Sequence, residues 1–383
     1  MSPRLSFAGV FVVTFLGLIG VGSVLPVLPR YVHGPLDSTD LAVGVVVGSY
    51  AITGLLLRPV AGRLADTRGR KPTVLLGALL VSLSGLLYLP HLGLGGLIAA
   101  RLVLGVGEGA LYTAGSAWIV DMAPPARRGR ILGLYGLAVW GGLSVGPLLG
   151  ELLLNAASYE AVWVFAAVLP LLGAAVATRV PDDFQPLPHA QPHPLIAPEA
   201  VRPGLSVALA SVGYATLAAF IVLLLESRGV GHGATVFGAF AAMIVLARLV
   251  AGDLPDRYGA APVAVGATLV EATGLVLIGL SHSLPFALVG GMAMGAGFSL
   301  LNPSLMLIAV GRVSEAARGA AMGTYTAFFD AGVGLGAPLA GVAAALTDYE
   351  GAFLLAAAIA VLSAVLTLTT LHHRPGAVEV FRE

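Results

Sequence analysis

Twelve long apolar stretches restrict what this chain can fold into. Each is close to the ~20 residues with which an α-helix crosses the ~30 Å hydrocarbon core of a bilayer. Within each stretch the apolar residues are continuous rather than alternating with polar ones, which argues against the strands of a membrane β-barrel. The predicted spans are residues 8–29, 41–62, 73–91, 96–119, 131–154, 160–179, 205–226, 233–253, 262–281, 284–309, 319–346 and 351–371. The sequence therefore predicts an all-α integral membrane protein with 12 transmembrane helices.

Composition excludes most other classes of protein. Of the 383 residues, 57% are hydrophobic and 10% are charged, whereas a soluble domain carries about 25% charged residues. So few charged residues exclude a soluble enzyme and a disordered chain. A net charge of +0 argues against a nucleic-acid binder. The absence of cysteine excludes disulfides, thiolate metal sites and cysteine nucleophiles. The sequence has no Walker A loop, HExxH pair or Ser/His/Asp set, so we expect no enzyme activity, no cofactor and no metal.

Basic residues set the expected orientation in the bilayer. Most of the 20 Lys and Arg residues fall in or beside the loops that lie on the same side as the two termini. Because positively charged loops stay in the cytoplasm, we expect a multi-pass protein of the cell (inner) membrane with both termini cytoplasmic. The first stretch is too long for the apolar region of a signal peptide and is followed by further spans, so we expect it to be retained as a helix.

A proline-rich segment divides the chain into two similar halves. Residues 181–203 hold seven of the 24 prolines, a density that breaks helices and stiffens a linker. The halves align at a constant offset of 190 residues, so that LLLRPVAGRLADTRG (55–69) matches VLARLVAGDLPDRYG (245–259). Because each half has an even number of spans, both enter the membrane in the same direction, as in rocking secondary transporters built from parallel repeats. The predicted organisation is a six-helix bundle at 1–180, a cytoplasmic linker at 181–203, a second six-helix bundle at 204–371 and a cytoplasmic tail at 372–383.

Four short motifs carry a resemblance to a known family. GRLADTRGRKP (62–72) joins the second and third spans with a glycine turn, a carboxylate and four cations. RLVLGVGEG (101–109) lies in the fourth span, PARRG (125–129) precedes the fifth, and GLSVGPLLG (142–150) lies within the fifth. Together the motifs resemble those of the major facilitator superfamily, in which the last one is associated with antiporters. The resemblance extends over essentially the whole chain and implies two six-helix bundles that rock around a central substrate site.

The resemblance also implies a conformational latch at the cytoplasmic end of the second span. It assigns this role to the glycines Gly62 and Gly69 and to the charged residues Asp66, Arg70 and Asp121. Asp66 would meet the positive end of the eleventh helix in the outward-facing state. The alternative is that these charges are solvated and contribute only ~0–1 kcal/mol.

Small residues line one face of the fifth span. The resemblance implies that Gly142, Gly146, Pro147 and Gly150 form a kinked hinge that prevents leakage in exporters. Tight helix packing explains the same glycines and is compatible with that role. Glu151 departs from the family pattern, and its place near the outer end of the span is expected to let it reach water.

Charged residues deep within the spans are costly and mark ion pathways or proton relays. Asp330, near the middle of the eleventh span, is the leading candidate for proton coupling. Glu108 is the second, although it lies about two turns from Arg101 on one helix face and could serve only as the partner of that cation. For Arg101 the resemblance implies a role in proton transfer or in bonding to the first helix. We expect Glu271, in the ninth span, either to be structural or to reach toward the membrane surface. We expect Glu226, at the end of the seventh span, to be either a gate residue or interfacial.

The resemblance places the substrate cavity between the first, fourth, seventh and tenth spans. Ligand pockets are mostly apolar with few polar groups, and the side chains available here suit a neutral, amphipathic or cationic organic molecule. The candidates for the substrate cavity are Tyr112, Trp140, Tyr214, Phe298, Asn302, Tyr325 and Phe329.

The sequence thus predicts a secondary active transporter, expected to be monomeric, that moves a small organic molecule by alternating access. Export in exchange for protons is the leading interpretation, because of the motif in the fifth span. Proton-coupled or facilitated uptake of a metabolite is the alternative within transport. A membrane receptor or scaffold that binds without translocating is the alternative from another class.

Overall fold

The computed structural model describes residues 3–122, 128–181, 196–311, 313 and 318–372, and these residues are almost entirely helical. They contain 12 helical spans that are long and apolar enough to cross a membrane, and no strand occurs in these ranges. The predicted all-α membrane architecture is therefore confirmed. Residues 125–127 of the PARRG motif, most of the predicted linker and all but the first residue of the predicted tail lie outside the described residues.

Turn geometry moves some helix ends away from the limits of the apolar stretches. The third span begins at Arg70 rather than at residue 73, because Gly69 adopts φ 112° and reverses the chain immediately after Arg68. The same span ends at Leu87, before the predicted end at residue 91. The spans are Pro3–Val24 continued by Val27–His33, Asp40–Gly48 continued by Tyr50–Arg68, Arg70–Leu87, Gly93–Asp121, Arg128–Ala156, Tyr159–Ala177, Val201–Ser227, Gly233–Ala251 continued by Leu254–Tyr258, Ala260–Gly279, Leu284–Val310, Arg318–Leu346 and Tyr349–His372.

The helix ends form two faces of the protein. We call the face at which the first span begins and the twelfth ends the terminal face, and the face with the loop at 34–39 the opposite face. At the terminal face, Lys71 Nζ donates to the carbonyl oxygen of Thr178 at 2.8 Å. At the opposite face, Arg228 Nη2 donates to Glu350 Oε2 at 2.8 Å. Contacts between neighbouring helix ends thus occur at both faces.

The sequence repeat corresponds to a repeated mode of helix packing. A Cβ atom at Gly105 would lie 1.9 Å from the carbonyl oxygen of Tyr50, so only glycine lets the fourth span approach the second this closely. A Cβ atom at Gly295 would lie 2.3 Å from the carbonyl oxygen of Phe240, which brings the tenth span against the eighth in the same way. Both residues of the second contact lie 190 positions after their counterparts in the first. Small residues at such positions are the usual means by which membrane helices pack closely.

The two halves meet mainly through the parts of four spans that lie nearer the opposite face. The second span contacts the eleventh there, and the fifth contacts the eighth. A Cβ atom at Gly44 would lie 2.3 Å from the carbonyl oxygen of Ala337. Ser144 Oγ donates to the carbonyl oxygen of Gly238 at 3.0 Å. The halves are therefore in direct backbone contact on this side.

Toward the terminal face the halves separate. An ion pair between Arg58 and Asp330 joins them within the membrane-spanning region. Between this pair and the terminal face, no hydrogen bond or ion pair joins the halves in the described part of the chain. Tyr112, whose ring lies beside Arg58, is 40% exposed. In the described residues, the bonds between the halves therefore lie at the Arg58–Asp330 pair and on the side of the opposite face.

Candidate functional site

One buried carboxylate is bound by an arginine from the other half of the protein. Arg58 Nε donates to Asp330 Oδ2 at 3.0 Å, and Arg58 Nη2 donates to Asp330 Oδ1 at 2.9 Å. The side chain of Asp330 is 7% exposed and that of Arg58 is 23% exposed. An enclosed carboxylate needs a cation or a proton to neutralise it. The proton-coupling candidate Asp330 therefore depends on contact between the halves for its neutralising cation.

Sequence reasoning missed Arg58 as a site residue. Basic residues near the ends of spans usually anchor a helix at the cytoplasmic surface, and this explanation was sufficient for Arg58. The helix, however, continues to Arg68, which places Arg58 about 15 Å from that end at the rise of an α-helix. Its recurrence as Arg248 in the second half is the signal that could have identified it.

Glu108 and Arg101 lie on the same helix face but do not bind each other. Glu108 Oε2 is buried without a hydrogen-bond partner. Arg101 is 1% exposed, donates from Nη2 to the carbonyl oxygen of Val47 at 2.6 Å and lies 4.6 Å from the centre of the Tyr50 ring. The interpretation of Glu108 as the direct partner of Arg101 is therefore wrong. Arg101 instead ties the fourth span to the second.

Four of the predicted cavity residues meet in one group of rings. The ring of Trp140, from the first half, lies 5.7 Å from that of Phe298 and 6.3 Å from that of Tyr214, both from the second half. Phe298 in turn lies 6.2 Å from Phe329. Phe240, which sequence reasoning omitted, lies 5.8 Å from Phe298 and 6.3 Å from Trp140. We call these five side chains the aromatic cluster, and it crosses the boundary between the halves.

The other three cavity candidates lie at two places outside the aromatic cluster. The hydroxyl group of Tyr325 lies 2.9 Å from both the carbonyl oxygen and the side-chain Oδ1 of Asn302, and Tyr325 is 1% exposed. This pair is therefore occupied by internal bonding within the second half. The ring of Tyr112 lies 5.9 Å from the guanidinium carbon of Arg58. Tyr112 thus presents an open surface directly beside the inter-half ion pair.

The charged residues of the predicted latch come together at the terminal face. Arg70 Nε donates to Asp121 Oδ2 at 2.9 Å, and Arg70 also binds Asp66. Gly69 supplies the turn between the helices with its φ of 112°, whereas Gly62 has no neighbour close enough to require glycine. All of these contacts lie within the first half, so a role in holding the halves together stays a prediction.

The glycines of the predicted hinge face the first span. A Cβ atom at Gly146 would lie 2.7 Å from the carbonyl oxygen of Ile19, and one at Gly150 would lie 2.0 Å from that of Ser23. Gly142 approaches the same helix one turn earlier, and Pro147 lies inside the fifth span. These contacts are close helix packing. A hinge function for this segment stays a prediction.

Glu271 is enclosed by helices of the second half. It is 0% exposed, and neither of its carboxyl oxygens has a hydrogen-bond partner. A Cβ atom at Gly213, on the seventh span, would lie 3.0 Å from Glu271 Oε1. Among the described residues, no group of three or more His, Cys, Asp or Glu side chains is arranged to hold a metal ion.

Arg30 joins three spans at the opposite face. Its Nη2 donates to Glu151 Oε1 at 3.1 Å, and its Nε binds Glu226 across the boundary between the halves. Glu151 is 12% exposed and ion-paired with Arg30, so the expectation that it reaches water stays a prediction. Tyr349 and Asp40 form a second bond between the halves, from the hydroxyl group to Oδ1 at 2.9 Å. These contacts favour the gate interpretation of Glu226 over the interfacial one.

Replacing Glu226 by Gln is expected to increase the population of molecules that are open at the opposite face. The change removes the ion pair with Arg30, but because Glu226 is 39% exposed, solvent screening limits the loss to about 1 kcal/mol. We therefore expect a rise of about fivefold. Double electron–electron resonance between spin labels at Asp37 and His282, one in each half, measures it.

The matched control is Glu160→Gln, which removes a bond to His91 at the same face but within the first half. It should leave the distances between the labels unchanged. An equal shift in both variants, or no shift for Glu226→Gln, would show that Glu226 does not act between the halves.

Comparison with known proteins decides the family. A model described as Major Facilitator Superfamily matches residues 10–235 and again residues 203–383. The chain belongs to the major facilitator superfamily. Its two matched regions together span nearly the whole length of this transporter.

Relatives of this major facilitator occur in bacteria. An uncharacterised MFS-type transporter of Salmonella typhimurium is 36% identical over 367 residues, which cover 92% of this chain and 93% of the relative. An uncharacterised MFS-type transporter of Burkholderia pseudomallei strain K96243 is 32% identical over 389 residues, which cover 97% of this chain and 95% of the relative. These relatives support assignment as a membrane transporter and specify no substrate.

Solved structures share the fold of this major facilitator. The human organic anion transporter MFSD10 (TETRAN) matches with a TM-score of 0.74 and 18% identity, over 96% of this chain and 100% of that chain. The nucleoside transporter NupG matches with a TM-score of 0.78 and 15% identity, over 95% and 99%. A POT family transporter in complex with a thioalcohol-conjugated peptide matches with a TM-score of 0.81 and 13% identity, over 96% of both chains. At these identities the likeness is one of fold alone.

Proposed function

We propose that this transporter exports a small organic molecule in exchange for protons, by alternating access, with Asp330 as its proton-binding group. The observation that carries the proposal is the bidentate ion pair of Asp330 with Arg58, an almost enclosed carboxylate neutralised by a cation from the other half. The similar solved structures are named for organic anions, nucleosides or peptides, and these different substrates do not indicate one substrate class for this chain.

The proposed cycle assigns the structure to the inward-facing, deprotonated state. With both termini in the cytoplasm, the terminal face is the cytoplasmic face, and Asp330 has released its proton there and holds Arg58. In the outward-facing state a proton from outside neutralises Asp330 and releases Arg58. Protonation thus removes a bond between the halves, and a ligand or proton shifts a conformational equilibrium only by such a difference between states.

Other residues are proposed to support this cycle. Glu108, with a buried unpartnered oxygen, is the second proton-binding candidate, and Arg101 positions the fourth span beside it. On the resemblance of their motifs, Asp66, Arg70 and Asp121 latch the outward-facing state. Gly142, Gly146, Pro147 and Gly150 form the hinge.

Proton-coupled uptake is the second candidate, and one observation favours it. Asp330 occupies the guanidinium of Arg58 through two hydrogen bonds. A substrate carboxylate that took Arg58 would release Asp330 to bind a proton, so substrate and proton would then bind together. Binding that is linked in this way is reciprocal, and it predicts cotransport rather than exchange.

The direction of proton movement distinguishes these proposals. Purified protein is reconstituted into liposomes that enclose a pH-sensitive dye, with the same pH on both sides. Aromatic carboxylates, with their amide and amine analogues, are then added outside one at a time. Empty liposomes correct for compounds that carry protons across lipid by themselves.

Exchange predicts that a transported compound makes the lumen more alkaline, because protons leave as the compound enters. Acidification of the lumen would replace exchange with cotransport. A compound that stabilises the purified protein but moves neither itself nor protons would contradict transport and favour a receptor.

A further inference from the structure

A second arginine within the spans lacks the carboxylate that its repeat counterpart has. Arg248, on the eighth span, donates from Nη2 to the carbonyl oxygen of Ser299 at 3.3 Å, and its Nε is buried without a partner. No Asp or Glu in the described part of the chain forms an ion pair with Arg248. A guanidinium group carries several donors and cannot lose its charge in a protein. Arg248 therefore has a buried donor without a partner, at Nε, and a charge that no carboxylate of the described residues neutralises.

The internal repeat indicates what kind of partner is missing. Arg248 follows Arg58 by 190 residues, and Arg58 reaches from the second span to Asp330 on the eleventh. The same offset leads from Asp330 back to Trp140 on the fifth span, where an aromatic residue stands in place of an acid. Arg248 does reach the fifth span, because a Cβ atom at Gly136 would lie 3.5 Å from Arg248 Nη1. The contact between halves is thus repeated, but without its carboxylate.

Arg248 carries a positive charge that no carboxylate of the described residues pairs with. A positive charge attracts anionic ligands and repels cationic ones. Arg248 therefore disfavours, at its own position, the cationic substrates that composition alone allowed.

The position that lacks an acid adjoins a partly exposed aromatic ring. Trp140 is half-buried, whereas its neighbours Tyr214, Phe240 and Phe298 in the second half are buried. An aromatic ring offers a large apolar contact area to a ligand. A molecule with an anionic group at Arg248 could therefore place an apolar body against Trp140, which lies about one turn along the fifth span from Gly136.

We propose that Arg248 binds the carboxylate of an organic anion whose apolar body lies against Trp140 of the aromatic cluster. This inference rests on the proposed transport function and narrows its substrate class. The planar guanidinium group suits bidentate binding of a carboxylate. The substrate would supply the acid that Asp330 supplies to Arg58.

Binding to purified protein tests the proposal without requiring transport. The probes are 2-naphthoate, 4-phenylbutyrate and octanoate, each compared with its amide and its amine analogue. Thermal stabilisation in detergent, titrated against probe concentration, gives the affinity. We expect at least one carboxylate to bind, and each bound carboxylate to exceed its amide and amine by about tenfold or more.

Variants distinguish binding at Arg248 from binding elsewhere. Arg248→Gln should weaken carboxylate binding by about 30-fold or more, and Arg248→Lys by less, because lysine keeps the charge but loses the planar fork. Gly136→Asp should also remove binding, because it places a carboxylate opposite Arg248. Arg179→Gln is the matched control, since Arg179 is exposed and, among the described residues, its guanidinium bonds only to the carbonyl oxygen of Ala175 at the end of its own span.

Three results would overturn the proposal: amide or amine analogues that bind as well as the carboxylates, carboxylate binding that survives Arg248→Gln, or no carboxylate that binds. The proton assay fails or succeeds independently of this test. Carboxylate binding without proton movement would contradict the proposed exchange and retain the anion site. Proton movement driven only by compounds other than carboxylates would support the proposed exchange and contradict the anion site.

Discussion

Asp330→Asn is expected to reduce proton movement in liposomes to the level of empty liposomes. The amide cannot bind and release a proton in the physiological range. It also cannot neutralise Arg58, which donates two hydrogen bonds to the Asp330 carboxylate in the wild-type protein. Substrate binding should persist, because the proposed anion site at Arg248 is separate. The measurement is lumenal pH after addition of a compound that moves protons with the wild-type protein.

Loss of fold is the competing explanation for such a result, and two further variants address it. Removing one partner of a buried ion pair costs about 3–5 kcal/mol, so each preparation is first tested for a single species by size-exclusion chromatography. The double variant Arg58→Asp with Asp330→Arg restores the pair in reverse and should recover the stability lost in either single variant. Asp256→Asn, at an exposed acid of the terminal face, is the control that should move protons normally. Full proton movement by folded Asp330→Asn would refute Asp330 as the proton site.

Gly105→Val is expected to prevent formation of a stable first half. A side chain at this position meets backbone, with the carbonyl oxygen of Tyr50 1.9 Å and Thr53 Oγ1 2.3 Å from the new Cβ atom, and rigid helices cannot move apart without losing other contacts. Overpacking of this kind costs about 1–3 kcal/mol or more. The yield of monodisperse protein in mild detergent and its thermal midpoint measure the effect.

Gly266→Val is the matched control, because a Cβ atom at Gly266 would have no neighbour within 4 Å. Gly295→Val should behave like Gly105→Val, since Gly295 makes the equivalent contact with Phe240 in the second half. If Gly105→Val were as stable as the control, the fourth and second spans could not be in the close contact described.

The fold could be predicted from the sequence because the bilayer limits the choices so strongly. In lipid, continuous apolar stretches of about 20 residues form transmembrane α-helices, because a helix satisfies all of its backbone hydrogen bonds internally. The sequence repeat also predicted that the two halves have the same fold. Gly105 and Gly295 stand at equivalent positions and allow the same close contact between two helices in each half. Helix ends were less predictable, since turns such as that at Gly69 depend on backbone conformation rather than hydropathy.

The candidate site could be predicted only in part. Asp330 was identifiable, because an acid in the middle of an apolar span is unusual, but its partner Arg58 was not. Which arginine meets which acid depends on contact between two halves that are far apart in sequence, and hydropathy carries no information about it. The pairing of Tyr325 with Asn302 and the binding of Glu151 by Arg30 could not be anticipated either, because they depend on how the helices pack within each half.

Movement of the halves relative to each other is the central claim, and it can be tested on a chain that has no native cysteine. Asp40→Cys with Tyr349→Cys places two thiols across the boundary at the opposite face, where the native side chains are hydrogen-bonded at 2.9 Å. A bifunctional methanethiosulfonate reagent joins them, and a reducing agent releases them. His91→Cys with Glu160→Cys is the control, because the native side chains contact at 3.1 Å within one half.

Flux of a transported compound through the cross-linked protein is the decisive measurement. Alternating access predicts that flux falls to background when the opposite face is cross-linked, returns on reduction and is unaffected in the control. Undiminished flux through protein that is fully cross-linked between the halves would contradict the account.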